Sequence, residues 1–493
     1  MNRVPGPPSP LRSGTALTPR DATMYWLAAR TPNDLFLLYA FADTGRPTPE
    51  LRATVANRVA DIPDLLVRVL DTPANIAYPI WVDCEFIDEQ FAEHDLLGPD
   101  WAHLTAALGD LLATGLDAAH RPWRLHIFRD IAGAPGFAIG APALVAVLQI
   151  SHALADGRRA AALARALFTD SPGTPAVAES NRSLSNLLDR AVPTGRLPVD
   201  RATAAGWLHS ARALPGFPIS MARTIIRGLS AHRAEKRLAE LTAAGAIAPP
   251  SAGARPNLLN GAGSAPKAHA TRIILRPARD LKVPGHTVTV VAATAISLAL
   301  ERYLAAHGAP PETLLAQVPM SVATDSGPRN SYRDLSINLH ATEPNPARRA
   351  AAIAADLTAR RARALHPLQD ARSAATETLP APILRRDVST YPIDILPHQV
   401  SGHTVISSVH RGPADLTFGG GQVHFTAGFP GLGSVMHLTH GLNGLGDTIT
   451  LSLHADPEVI PDLDHYAALL TESLTEVERA LTETPSPPTH PAE

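Results

Sequence analysis

The residues best suited to chemistry lie in one short segment, Ser151-His152-Ala153-Leu154-Ala155-Asp156-Gly157. It follows an apolar run, 137–150, and precedes a helical one, 158–168. A histidine at a strand end, held by a tight turn, can present its imidazole to a substrate. With an unperturbed pKa near ~6.5, a neutral imidazole can take a proton at physiological pH. His152 is therefore the candidate base. Asp156 stands where the next helix starts, so its carboxylate is expected to accept backbone N–H groups and pair with an arginine, fixing the turn. Arg58 and Arg68 are the candidate partners. Gly157 is expected to permit a close backbone approach or a strained turn. Ser151 precedes the base, and consecutive strand residues point to opposite faces. No G-x-S-x-G surrounds it, so it is a poor serine nucleophile.

These residues need scaffolding, and the sequence supplies it in two α/β units of similar size. Residues 1–16, with four prolines, read as a disordered tail. Residues 17–170 form the first unit. Thr18-Pro19 signals a helix over 20–30. Strands are expected at 35–42, 65–70, near Trp81, at 123–129 and at 137–150. Helices are expected at 49–59, with Leu51, Val55 and Val59 on one face, and at 101–114. Residues 171–265 alternate Pro/Gly/Ser clusters with helical pieces and read as a helical linker. Its long helix, 220–244, carries Arg223, Arg227, Arg233, Lys236 and Arg237. Residues 266–483 form the second unit. It has strands at 270–275, 314–322, 405–409, 422–426, 435–438 and 448–454, and helices at 287–305, 348–364 and 463–481. Residues 484–493 read as a second tail.

Composition narrows the function. The chain has 493 residues, 45% hydrophobic and 18% charged, with a formal net charge of −3. Two cores are the natural expectation, and a nucleic-acid partner has no electrostatic basis. The single cysteine, Cys84, excludes a disulfide framework and a multi-thiolate metal site. It reads as a packed small residue rather than a nucleophile. His437 and His440 lack Cys or carboxylate partners at metal-ligand spacing, and no metal is expected. Gly419-Gly420-Gly421 lacks a following Lys-Ser/Thr helix and reads as a turn rather than a phosphate loop. The N-terminus lacks the apolar core of a signal peptide, and the longest apolar runs fall short of the ~20 residues that span a bilayer. A cytoplasmic location is expected. The basic helix 220–244 is either a solvated face or a surface for anionic lipid head groups at the inner membrane face or on lipid droplets.

Several short motifs, taken in order, resemble the bacterial wax ester synthase/diacylglycerol acyltransferase family. Leu17-Thr18-Pro19-Arg20-Asp21-Ala22 is similar to its P-L-S-x-x-D-A opening. Pro79-Ile80-Trp81-Val82-Asp83 matches P-x-W-V-D, Arg121-Pro122-Trp123 resembles R-P-L-W, and Ser151–Gly157 occupies H-H-x-x-x-D-G. Asn260-Gly261, Val318-Pro319-Met320-Ser321, Ser407-Ser408-Val409 with Gly412-Pro413, and Ala455-Asp456 continue the pattern, and Asn338 fits the Asn of its G-N segment. Three positions depart from it. Ser151 replaces the first His. Thr287-Val288-Thr289-Val290-Val291 loses the two polar residues of T-V-N-D-V. His410-Arg411 is inserted in the S-N-V-P-G-P loop.

The resemblance implies an α/β fold with mixed sheets, built as two chloramphenicol acetyltransferase-like domains around a central cleft. It also implies O-acyl transfer from acyl-CoA, as co-substrate and without a cofactor, to diacylglycerol or a fatty alcohol. His152 would be the general base, attack on the thioester direct, and Asn338 a site-lining amide. Two alternatives accompany it. One is a catalytically weak or inactive acyltransferase-like lipid-binding protein. The other is a condensation-type enzyme that acylates a specialised metabolite from a carrier thioester.

Overall fold

The computed structural model describes residues 14–169, 206–207, 209–211, 217–322 and 329–483. Two six-stranded mixed sheets dominate, with a two-stranded ribbon beside the first. The first sheet runs β11-β12-β1-β6-β5-β4: Thr417–Phe418, Gly421–Phe429, Leu35–Ala42, Ala143–Ile150, Trp123–Ile131 and Phe91–Glu93. The second runs β7-β14-β13-β10-β8-β9: Ala270–Pro277, Thr448–Ala455, Leu438–Leu445, Thr404–His410, Leu315–Ser321 and Tyr332–Asn338. The ribbon pairs β2, Val67–Leu70, with β3, Ile80–Asp83.

β6 lies between β1 and β5, and all eight of its residues are buried: one face packs on Leu51, Val55 and Leu167, the other on Leu104, Leu108 and Leu112, with Ile273 and Leu275 of β7 against it. Its antiparallel register with β1 places Leu35 opposite Ile150, so Asp34 and Ser151 face each other where the strands end. Helix α1, Pro19–Ala28, starts from Thr18, whose hydroxyl accepts the Asp21 N–H, with proline at its first position. Helix α2, Thr48–Ala60, buries Leu51, Val55 and Val59. Helix α4, Gly157–Phe168, follows α3, Trp101–Leu112, in chain order and buries Ala160, Leu163, Ala164, Leu167 and Phe168 against the first sheet, at helical spacing. In the second half, Val288–Ala306 is long and apolar enough to cross a membrane, but 72% of that window is buried under the second sheet. It is a core helix.

Several expectations from the sequence are corrected. The run 137–150 is a strand only from Ala143; residues 137–142 belong to the connection from β5. Residues 435–437 precede β13 rather than forming a strand, and β9 and the helices Pro367–Thr376 and Ala381–Thr390 were not foreseen. The expected N-terminal tail is shorter than 1–16: Gly14 donates to Trp81 O, Trp81 donates to Thr15 O, and Ala16 bridges Ile80. Residues 1–13 and 484–493 lie outside the described residues, as does most of 170–216. The linker also ends earlier than 265, since Leu259 is fully buried in the second core.

The sharpest difference concerns the boundary between the two units. β11 and β12 come from the second half but pair in the first sheet, with Leu37 opposite Gly428. The three glycines at 419–421 make the hairpin that starts this crossing. Gly419 and Gly420 have positive φ, and a Cβ on Gly421 would lie 1.8 Å from Ala42 O.

β12 also joins the two sheets face to face. Thr450 Oγ1 and Ser452 Oγ on β14 each donate to β12 carbonyls, those of Thr426 and Gly428, at 2.5 Å. This approach requires a glycine on β13, because a Cβ on Gly441 would sit 2.0 Å from Gly428 O. The inserted Arg411 is buried beside the same seam and donates to Asn443 Oδ1 at 2.9 Å. Gly441→Ala should therefore destabilise the fold by about 1–3 kcal/mol, the usual cost of overpacking a filled interior. A thermal melt within one degree of wild type would show that the sheets can move apart freely.

Candidate active site

His152 sits in the turn between β6 and α4 and faces a cavity of about 520 Å³ between the two halves. The first half contributes Met24, Leu27 and Leu35; the second contributes Gln317, Tyr332, Ser408 and Met436. Asp156 and Gly157 line the same space.

The imidazole is held from the second half. Its Nδ1 is 2.6 Å from Asn330 Oδ1. The amide orientation follows from its other contacts: Asn330 Nδ2 lies 2.6 Å from the His152 carbonyl and 3.0 Å from Asp21 Oδ1, both of which can only accept from it. Oδ1 must then face Nδ1 as an acceptor, so the hydrogen of the neutral ring is on Nδ1. The ring's Nε2 carries the lone pair, which is the state a base requires. Burial holds the His152 pKa below its ordinary value, with the Asn330 hydrogen bond opposing that shift.

Asn330 is itself fixed. Asp21 Oδ1 accepts both its backbone N–H and its side-chain amide at 3.0 Å, while Oδ2 accepts the Arg329 N–H at 3.0 Å and the Thr18 hydroxyl at 2.7 Å. Arg329 makes a two-pronged pair with Asp64, at 3.1 and 3.2 Å, and donates to Leu154 O. Asp156 caps α4 through the Arg159 N–H at 2.9 Å, and its other oxygen accepts the Ser331 N–H at 3.2 Å. Its partner across the turn is thus backbone, not the arginine expected. Arg58 donates to Leu167 O and Thr417 O, and Arg68 to Ala119 O. Tyr332 completes this wall. Its ring is centred 5.9 Å from that of His152, Arg20 lies over its face at 5.0 Å, and burial pushes its pKa up to about 12.

The remaining sequence candidates fall as follows. Ser151 is fully buried, and its hydroxyl accepts the Ala153 N–H at 3.4 Å. Gly157 needs no special backbone: a Cβ there would meet only Val409 Cγ2, at an ordinary 3.6 Å. The expectation of a strained turn is corrected, and the missing side chain instead leaves cavity space beside Val409. Asn338 does not line the cavity. It ends β9, donates its N–H to Asp356 Oδ2 at 2.7 Å and accepts the His340 N–H at 2.8 Å, so it is a turn residue. The amide that reaches the site is Asn330, eight positions earlier. The signal for it was Gly327-Pro328 followed by two polar residues just before an alternating strand. Thr289 touches the cavity wall only through Ser408, 3.3 Å away, and Val290 is buried. His437 pairs with Asp456 at 2.8 Å, and His440 bonds Tyr466 and Thr404. Among the described residues no three His, Cys, Asp or Glu side chains group as a metal site would require.

Two mixed sheets, a strand crossing between them and a histidine at their junction define a chloramphenicol acetyltransferase-like fold of two domains. The chain belongs to the wax ester synthase/diacylglycerol acyltransferase family, a family of acyltransferases: its catalytic-domain model matches residues 17–256 and its C-terminal-domain model residues 330–478. Among solved structures the chain is similar to the wax ester synthase/diacylglycerol acyltransferase from Marinobacter aquaeolei VT8. The two are 18% identical with a TM-score of 0.60, over 95% of this chain and 100% of that one. It is also similar to the starter condensation domain of rhizomide synthetase, solved as a mutant in complex with C8-CoA and Leu-SNAC, at 12% identity and a TM-score of 0.52 over 95% and 94% of the chains.

Asn330 orients the ring and, being neutral, raises its basicity less than a carboxylate in its place would. The rate should be lost only as pH falls through the depressed pKa of His152, so the acid limb of kcat/KM should lie below pH ~6.5. Asn330→Asp places a carboxylate against the Nδ1–H, which favours the imidazolium, and should move that limb to higher pH. Asn330→Ala should cost about 10–10²-fold, as when an outer partner that fixes a histidine is removed. An acid limb that stays in place in Asn330→Asp would remove the assigned contact from the chemistry.

Proposed function

We propose that this protein transfers a long-chain acyl group from acyl-CoA to the hydroxyl of a lipid alcohol, with His152 as general base. The resemblance names diacylglycerol and fatty alcohols as the first acceptors to test. The observation that carries the reading is the orientation of His152 at the junction of the two halves, with Nδ1 bonded to Asn330 and no hydrogen bond to Nε2 from the described residues. Nε2 takes the hydroxyl proton as the oxygen attacks the thioester carbonyl carbon. The tetrahedral centre collapses, the carbon–sulfur bond breaks, and the proton passes to the leaving thiolate to give free CoA and the ester. The apolar part of the cavity, Met24, Leu27, Leu35, Leu432 and Met436, suits an acyl chain and limits water as a competing acceptor.

The test is acyl-CoA consumption with hexadecanol and diacylglycerol. His152→Ala should lower kcat by ~10²–10⁴ with little change in melting temperature. Turnover at the wild-type rate in that variant would show the base to be misassigned. If the wild-type protein never exceeds spontaneous thioester hydrolysis, the inactive lipid-binding alternative replaces this reading.

Under this reading the acceptor and product are water-insoluble lipids, and one surface supports docking to a lipid surface. On the helix Phe217–Ala243, Ile225, Ile226 and Leu229 are each more than half exposed. Arg223, Arg227 and Arg233 are exposed on the same helix. Such a face suits a surface of anionic lipid. The protein should float with anionic liposomes at low salt and less so as salt rises, and Ser at positions 225, 226 and 229 should abolish flotation. No flotation of the wild type at low salt would sink the docking role.

A further inference from the structure

Asp34 is a buried carboxylate that none of the above uses. It lies just before β1, one residue beyond the Leu35–Ile150 pair that ends the register with β6, and is 5% exposed. One oxygen, Oδ2, accepts two hydrogen bonds, from Leu116 N–H at 2.7 Å and from Gln149 Nε2 at 2.8 Å. No hydrogen bond reaches Oδ1 from the described residues. Asp34 lines the His152 cavity and also a second cavity of about 150 Å³, and the two cavities share Thr31, Pro32, Gly431 and Leu432 as well. The smaller cavity is thus an annex of the larger one, with a carboxylate at the junction.

The carboxylate is supported by a chain of buried side chains that runs across three strands. Because Gln149 donates through Nε2, its Oε1 must accept from His126 Nε2, 3.0 Å away. His126 Nδ1 then accepts from His94 Nε2 at 2.9 Å. Burial lowers the His126 pKa to about 3, so the ring stays neutral in this chain. Every donor in it points toward Asp34. The same burial raises the Asp34 pKa to about 6, leaving the group ionised at neutral pH. An ionised oxygen with open lone pairs in a largely apolar cavity calls for a donor from the ligand. Lys267 and His269 line the annex as well, and a lysine there opposes a second cation. That favours a neutral donor, and on a lipid acceptor the neutral donor is a hydroxyl.

We propose that Asp34 reads a second hydroxyl on the acceptor, so that this enzyme prefers lipid diols or monoacylated polyols over simple fatty alcohols. The inference rests on the acyl-transfer reading and narrows its acceptor. An acceptor without the second hydroxyl leaves Oδ1 desolvated and unpaired, and sites built around such a bond reject the analogue that lacks it.

The test compares 1,2-hexadecanediol with 1-hexadecanol, using the full chain and one acyl-CoA. Wild type should favour the diol by about tenfold or more in kcat/KM, mainly through KM. Asp34→Asn keeps an oxygen for Leu116 and Gln149 but turns an N–H group toward the cavity, so the preference should fall to about one or below. A wild-type ratio near one overturns the proposal and leaves acyl transfer standing. So does a folded Asp34→Asn that keeps the full preference. Absence of transfer to either alcohol and to diacylglycerol overturns both readings. The wild-type ratio decides even if the variant folds poorly.

Discussion

The contacts that orient His152 pass through three consecutive residues of the second half, Arg329-Asn330-Ser331. Their backbone is stitched into the first half: the N–H groups of Arg329 and Asn330 go to Asp21, that of Ser331 goes to Asp156, and the Arg329 carbonyl accepts the Asp156 N–H. The side chains extend the stitching to Asp64 and His152. A buried ion pair such as Arg329–Asp64 is weak evidence for stability, since desolvation offsets most of the attraction. Its geometry is demanding, however. Two prongs, a third bond to Leu154 O and the Trp81 ring 5.7 Å from the guanidinium leave few alternative registers. The pair thus serves best as a register device that puts Asn330 beside His152.

The second joining of the halves, at β12, has a different chemistry. There the sheets approach so closely that glycines and the hydroxyls of Thr450 and Ser452 replace packed side chains. One seam is ionic and locates the histidine; the other is steric and sets how far apart the sheets stand. The cavity lies between them, and its walls come from both halves. Its shape therefore depends on both seams holding together, and neither domain alone carries a complete site.

What could be read from the sequence divides along the same lines. Local signals were legible. Thr18-Pro19 opened α1, Asp156 capped α4, and the face Leu51, Val55, Val59 was buried as its spacing required. The placement of His152 at the end of an apolar strand was also legible, because one short segment encodes strand, turn and cap. The features that failed were long-range. The sequence points to Asn338 as a site-lining amide, whereas the amide at the site is Asn330, because only the fold determines which of two nearby asparagines faces the other half. The crossing of β11 and β12 was missed for the same reason: an alternating strand carries no mark of the sheet it will join. The sequence points to arginine partners for Asp156, whereas two backbone N–H groups satisfy it, one from its own helix at Arg159 and one from the other half at Ser331.

The use of an amide as the histidine's partner has a consequence for how the chemistry must be driven. A carboxylate beside Nδ1 would both orient the ring and stabilise the imidazolium that forms as the proton moves. Asn330 orients the ring but, being neutral, offsets only part of the burial that makes the charged ring unfavourable. Under the acyl-transfer reading, a weaker base must be offset by position: a hydroxyl held near Nε2 and in line with the thioester, in a cavity that excludes water. The nearest fixed negative charges, Asp21 and Asp156, favour the imidazolium only from a distance. The rigidity of the Asp21–Asn330 network is then part of the chemistry, because tolerance for a misplaced acceptor is smallest where the base is weak.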